Sequence, residues 1–133
     1  MDHRIGSHTA HVEEDILYVV LRGTLEASDL QQILGLAEAV IARHGRYAGL
    51  VDVSQMGTMT LEARRLGGKW SGFTSCFGNF FFGASFATRT MFALTMRGVL
   101  LFGGQPIHTE FCASEAEART RLAERRPPRR AVR

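Results

Sequence analysis

Apolar and β-branched residues dominate Thr9–Val12 and again Ile16–Leu21, with Glu13-Glu14-Asp15 between them, a pattern that predicts a β-hairpin closed by an acidic turn. After Arg22-Gly23-Thr24 the period changes. Leu30, Ile33, Leu34, Leu36, Ala37, Val40 and Ile41 recur at helical spacing behind Ser28-Asp29-Leu30-Gln31, which has the form of a capping box, and Gly45 is the expected stop after His44. The short apolar run Tyr47–Val53 reads as a buried central strand. A loop follows over Ser54–Thr60, and then a helix from Leu61 towards Trp70, weakened by Gly67-Gly68. Asn79–Ala84 is a second buried strand, Phe86–Phe102 a third helix stopped by Gly103-Gly104, and His108–Phe111 a last short strand opened by Pro106. Ser114-Glu115-Ala116-Glu117 is another capping box, whose helix must end before Pro127. The order β-β-α-β-α-β-α-β-α predicts an α/β fold, with a mostly parallel sheet of about five strands covered by helices.

The third helix is apolar on two sides. At about 100° per residue, Ala87, Met91, Leu94, Gly98 and Leu101 share the face expected to pack on the sheet. Phe92, Met96, Val99 and Leu100 fall on the opposite face, relieved chiefly by Arg89 and Arg97. Two readings stand: cover by the loop Ser71–Gly78 with Trp70, Phe73 and Phe77, or an apolar surface offered to another molecule. Seventeen residues carrying two arginines are poor material for crossing a bilayer, which takes about 20 predominantly apolar residues.

Charge changes the picture only at the C-terminus. The formal net charge is +3, yet Arg125, Arg126, Arg129, Arg130 and Arg133 all follow Glu124, which leaves 11 basic against 13 acidic groups over residues 1–124. The folded body is therefore mildly acidic, and specific nucleic-acid binding is not expected. Residues 125–133, with two prolines and little apolar surface to bury, read as a disordered Arg/Pro-rich tail. At 133 residues and 45% hydrophobic content the chain suffices for one domain without staples. Cys76 and Cys112 have no metal-ligand spacing and read as reduced thiols, and the polar start Met1-Asp2-His3-Arg4 does not resemble a secretion signal. A cytoplasmic location is expected.

Candidate chemistry is thin. Cys76, Cys112, His44 and His108 are joined by no nucleophile motif, and His108 and Cys112, four apart on a strand, would stand about 13 Å from each other. His3, His8 and His11 with Glu13 form a loose cluster read as an accident of a frayed terminus, since structural zinc wants four well-spaced ligands. Gly67-Gly68-Lys69 and Gly103-Gly104-Gln105-Pro106 match neither phosphate-cradling pattern. No catalytic residue, metal or cofactor is assigned.

The hairpin Ile16–Leu21 closed by Arg22-Gly23, the helix Leu30–His44, Leu50-Val51-Asp52-Val53-Ser54, the strand Phe80–Ala84 followed by Ser85, and the closing Glu110–Ala118 stretch occur in an order that resembles the STAS domain. The likeness is closer to its SpoIIAA-like branch, also described as STAS/SEC14-like, which includes the anti-sigma-factor antagonists. It implies a STAS-like domain over residues 1–124 that works by binding rather than catalysis. In the antagonists the loop after the strand matching Leu50–Val53 ends in an Asp-Ser-Ser-Gly-like motif whose serine is phosphorylated. The matching positions here read Met59-Thr60-Leu61-Glu62-Ala63, so Leu61 stands at the serine position and the phosphoserine switch is expected to be absent. Thr58 and Thr60 retain hydroxyls near a helix N-terminus, where a phosphate would be favoured, although Thr60 also reads as a plain N-cap.

The resulting expectation is a regulatory or scaffolding module that binds a protein partner or a second copy of itself as a homodimer. Its candidate contacts are Ser54, Thr58, Thr60, Arg89, Phe92, Met96, Val99 and Leu100. The alternative is a lipid or small apolar ligand held in the aromatic region 70–102, with Trp70, Phe73 and Phe77 lining the pocket. That alternative draws on the kinship with SEC14-like proteins, an analogy of fold.

Overall fold

The computed structural model describes residues 2–101 and 108–128. Six strands, β1 (Asp2–Ile5), β2 (His8–Glu13), β3 (Ile16–Leu25), β4 (Tyr47–Met59), β5 (Cys76–Phe82) and β6 (Thr109–Cys112), lie side by side in sequence order. The first three pair antiparallel, and β3 through β6 pair parallel. Helices α1 (Ala27–His44), α2 (Leu61–Lys69) and α3 (Phe86–Leu101) connect the parallel strands, and α4 (Glu115–Arg125) closes the chain.

Two-residue alternation divides the core between the faces of the sheet. Leu17, Val19, Leu21, Tyr47, Val51, Val53 and Phe81 face α1 and α2, joined by Met91 and Phe92 of α3. Ile16, Ala48, Leu50, Phe80, Phe82 and Cys112 face the other way, where Ala118 and Leu122 of α4 cover them. Consecutive right-handed crossovers running in one direction stack α1, α2 and α3 on one side. Among the described residues α4 alone, entering after the last strand, covers the other.

The hairpin of β2 and β3, α1 with its left-handed cap at Gly45 (φ 77°), and α4 with Ser114 accepting from the Glu117 amide form where the sequence pattern places them. Glu26 is the N-cap of α1, and its amide donates to Asp29 Oδ2, so the helix starts before the Ser28 box.

Two elements differ from expectation. The N-terminus is the edge strand β1, turned at Gly6 (φ 60°), where a Cβ would press on Asp29 Oδ1. Ile5 reaches the core and His8 is fully buried, its Nδ1 accepting from the Arg22 amide and its Nε2 3.2 Å from the Thr24 carbonyl. The expected loop Ser54–Thr60 is instead mostly strand. β4 continues alongside Arg22–Leu25 of β3 with two register shifts, and this bulged extension carries Met56 and Met59 into the core.

A charged network ties α4 to the hairpin. Arg119 donates through both terminal nitrogens to Glu13, 3.0 Å each, and through Nε to Glu115, which also accepts from the Tyr18 hydroxyl at 2.9 Å. Tyr18 stacks on His11, and burial together with its bond to Glu115 pushes its hydroxyl up to about 12. Hydrogen bonding from Arg119, which outweighs the opposing burial, holds the Glu13 carboxyl down at about 2, against an ordinary 4.5. A depressed carboxyl stabilises the fold above its unfolded value and loses that contribution as pH falls from about 4.5 to about 2. Both partners are over a third exposed, so solvent screening leaves about 1 kcal/mol. Arg119→Ala should therefore lessen the loss of stability between pH 5 and pH 2.5 by about 1 kcal/mol, read from urea midpoints. An unchanged pH slope would mean that the pair is fully screened.

Candidate functional site

The helix-covered face encloses a cavity. Its floor is Leu17, Val19, Leu21, Gly49, Val51 and Phe81 of the sheet, and its walls are Leu30, Ile33, Leu34 and Ala37 of α1, Ala63, Arg64, Gly67 and Gly68 of α2, and Phe92 of α3. Phe73, from the 3-10 turn Ser71–Ser75, closes one end. The space that a small molecule could occupy is about 150 Å³, and the surface is overwhelmingly apolar. Protein interiors normally pack to crystal-like density, so space on this scale under three helices is unusual. It arises because α2 is short and glycine-rich where it faces the sheet. Gly67 and Gly68 present no side chains there, and at Gly49 a Cβ would collide with the Asn79 side chain, which lies across it.

Few polar groups reach this space. Among the described residues that line it, Arg64 alone is charged, and its Nε is buried with no hydrogen-bond partner. Trp70 Nε1, six residues on, is also buried and unpartnered. The Trp70 ring packs edge-on against Tyr47 at 5.8 Å and Phe73 at 4.7 Å, both of which line the cavity. Burial pushes the Cys76 thiol and the Tyr47 hydroxyl upward, keeping both protonated at neutral pH. Burial likewise raises the Cys112 thiol, so neither cysteine is an activated nucleophile. Among the described residues no group of three or more His, Cys, Asp or Glu could hold a metal ion, and no helix is long and apolar enough to cross a membrane.

The residues singled out from the sequence are distributed among three places. Phe73 lines the cavity, as does Phe92, which points inward and packs on Phe81 at 4.5 Å and Phe111 at 6.2 Å, while Trp70 does not line it and packs against Phe73 and Tyr47. Phe92 therefore does not lie on an outer face. The helix is rotated from the expected setting, so that Leu94 is 58% exposed and Ala87 is exposed, while Thr88 is buried against Ser85. Phe77 lies on the other face of the sheet, beneath the Arg46 guanidinium, and so does not join Trp70 and Phe73. Ser54 and Thr58 are exposed on β4, the Ser54 hydroxyl donating to Asp52 Oδ1 at 2.7 Å. Arg89 is exposed, its guanidinium 5.7 Å from the Phe111 ring. The side chains of Met96, Val99 and Leu100, as well as Phe102–Ile107 and residues 129–133, lie outside the described residues.

Thr60 is the N-cap of α2, its Oγ1 accepting from the Ala63 amide at 3.1 Å, and Leu61, the first helical residue, is 54% exposed. Thr60→Ala should cost about 1 kcal/mol, measured by chemical denaturation. Thr60→Ser, which keeps the acceptor, should cost much less. In the glycine-rich part of the same helix, a Cβ at Gly67 would meet Leu30 Cδ2 at an ordinary 3.5 Å. Gly67→Ala should thus stabilise by about 0.5–1 kcal/mol by lowering the entropy of the unfolded chain.

The aromatic region 70–102, read as a possible ligand pocket, contributes Phe73 and Phe92 to the cavity, while its α1 and sheet walls carried no such mark. Gly67-Gly68, read as a weakness in a helix, was a further signal, because glycine on a core-facing helix leaves volume unfilled.

No protein-family model matches the chain, and no curated protein matches it. Solved structures do. An uncharacterised protein of the DUF3478 family from Shewanella loihica PV-4, described as having a SpoIIAA-like fold, superposes with a TM-score of 0.61 at 21% identity, over 92% of this chain and 98% of that one. The anti-sigma factor antagonist SpoIIAA in its unphosphorylated form superposes with a TM-score of 0.52 at 18% identity, over 88% of this chain and 98% of that one. The chain has the SpoIIAA-like fold that the order of its elements implied.

Proposed function

We propose that this domain is a non-catalytic binding module whose ligand is a small apolar molecule held between the sheet and α1, α2 and α3. The observation that carries the reading is the cavity, since unfilled apolar space with a few convergent polar groups is the usual form of a small-molecule site. The raised, protonated thiols of Cys76 and Cys112 favour binding over cysteine chemistry. The test is native mass spectrometry of protein purified from cells, together with titration of an apolar fluorescent probe such as 1-N-phenylnaphthylamine. One equivalent of retained ligand or probe is expected. Val51→Phe, which projects from the floor into the space, should abolish binding while circular dichroism stays native. Wild-type protein that neither retains a ligand nor takes up the probe would overturn the reading.

A second reading, a regulatory module that docks a protein partner or its own copy, is favoured by Phe86 at 85% and Leu94 at 58% exposure on one broad side of α3. The exposed Ser54 and Thr58 would extend such a surface. It would work without a phosphoserine switch. Leu61 carries no hydroxyl and the Thr60 oxygen is engaged in capping α2. Leu94→Asp should abolish association in sedimentation velocity and leave a folded monomer. A wild-type chain that is monomeric and captures no partner would count against this reading.

A further inference from the structure

Building on the apolar-ligand reading, we propose that the occupant is a single-chain carboxylate, a fatty acid, whose hydrocarbon fills the cavity and whose carboxylate is held by Arg64. A pocket for a neutral hydrocarbon needs no charge in its wall. Here Arg64, on α2, is the one charged group among the described lining residues, and no carboxylate lines the space to balance it. Its Nε is buried without an acceptor, an arrangement costly in the empty domain and relieved when an acceptor arrives. The ligand that Arg64 would suit therefore supplies acceptor oxygens and negative charge at one end and apolar surface along the rest. A planar guanidinium matches a carboxylate in geometry as well as in charge.

Trp70 is the only tryptophan in the chain, so its emission reports occupancy directly. Delipidated protein would be titrated with dodecanoate and with 1-dodecanol, which share the hydrocarbon and differ in charge, below the concentration at which either aggregates. Dodecanoate should bind with one-to-one stoichiometry, at least tenfold more tightly than the alcohol, and shift the Trp70 emission. Arg64→Met, which keeps the apolar stem, should erase this preference while leaving dodecanol affinity within about twofold, and Arg64→Lys should restore part of it. Equal wild-type affinity for acid and alcohol, or a preference that survives in Arg64→Met, would overturn the assignment of Arg64 and leave the apolar pocket standing. Failure of both ligands to bind the wild type would overturn the pocket reading itself. Tighter binding of dodecyl phosphate than dodecanoate, lost in Arg64→Met, would overturn the carboxylate in favour of a phosphate headgroup.

Discussion

Phe80→Ala should lower stability by about 3–5 kcal/mol, a large share of the roughly 5–15 kcal/mol that a domain of this size possesses. Phe80 is fully buried on β5, at the centre of the face covered by α4, where it packs with Leu50, Cys112, Ala118 and Leu122. Its ring centroid is 6.0 Å from that of His108 on the approach to β6. Because α4 is the one helix covering this face among the described residues, the lost ring leaves a void as well as lost burial. Urea denaturation should show the shift in midpoint, and hydrogen exchange should show α4 amides losing protection first. Phe80→Leu, which keeps most of the volume, should cost less than half as much. A penalty below about 1 kcal/mol for the alanine variant would mean that α4 is not seated on the sheet.

Asp15→Ala should destabilise by about 2 kcal/mol. Asp15 closes the β2–β3 turn with its side chain 7% exposed, and its two oxygens accept from Arg46 Nε at 3.0 Å and Arg126 Nη2 at 2.9 Å. Arg46 also donates to the Pro127 carbonyl at 2.7 Å, so one carboxylate gathers the start of β4 and the end of α4. Removing a partner from a buried pair costs about 3–5 kcal/mol when the remaining charge stays buried. Both arginines here are a quarter to a third exposed and can recover water, which lowers the expected figure. Arg126→Ala alone should cost less, since Arg46 still neutralises Asp15. The double variant should show a coupling of at least 0.5 kcal/mol in a double-mutant cycle, and strict additivity would mean that the Arg126 contact contributes nothing.

Those arginines show where reading by composition stops. Composition groups Arg125 and Arg126 with the Arg/Pro-rich stretch because it has little apolar surface to bury. Arg125 instead completes α4 and donates to the Phe77 carbonyl, and Arg126 reaches Asp15, 111 residues earlier. A partner so distant leaves no trace in local pattern. The same holds for β1: its residues, Asp-His-Arg-Ile, lack strand character, and they pair because β2 offers an unpaired edge and Ile5 a core position.

Features of this fold that depend on neighbours in the chain were legible without coordinates. Short apolar and β-branched runs marked β3, β4 and β5, helical spacing marked α1, and capping residues marked the end of α1 at Gly45 and the start of α4 at Ser114, since each is set by interactions spanning only a few residues. Their order implied the SpoIIAA-like architecture. The setting of α3 about its axis was not legible, because a helix apolar on both sides leaves the choice of buried face to its neighbours, which turned Phe92 inward and Leu94 outward. Nor was the side of the sheet taken by Phe77, which depended on where β5 begins, a single residue of register being enough to exchange the faces. The cavity is the furthest from local pattern. It is volume that three helices and a sheet fail to fill, and Arg64 gains meaning as a candidate anchor only because packing buries its Nε beside that space and brings no acceptor to it.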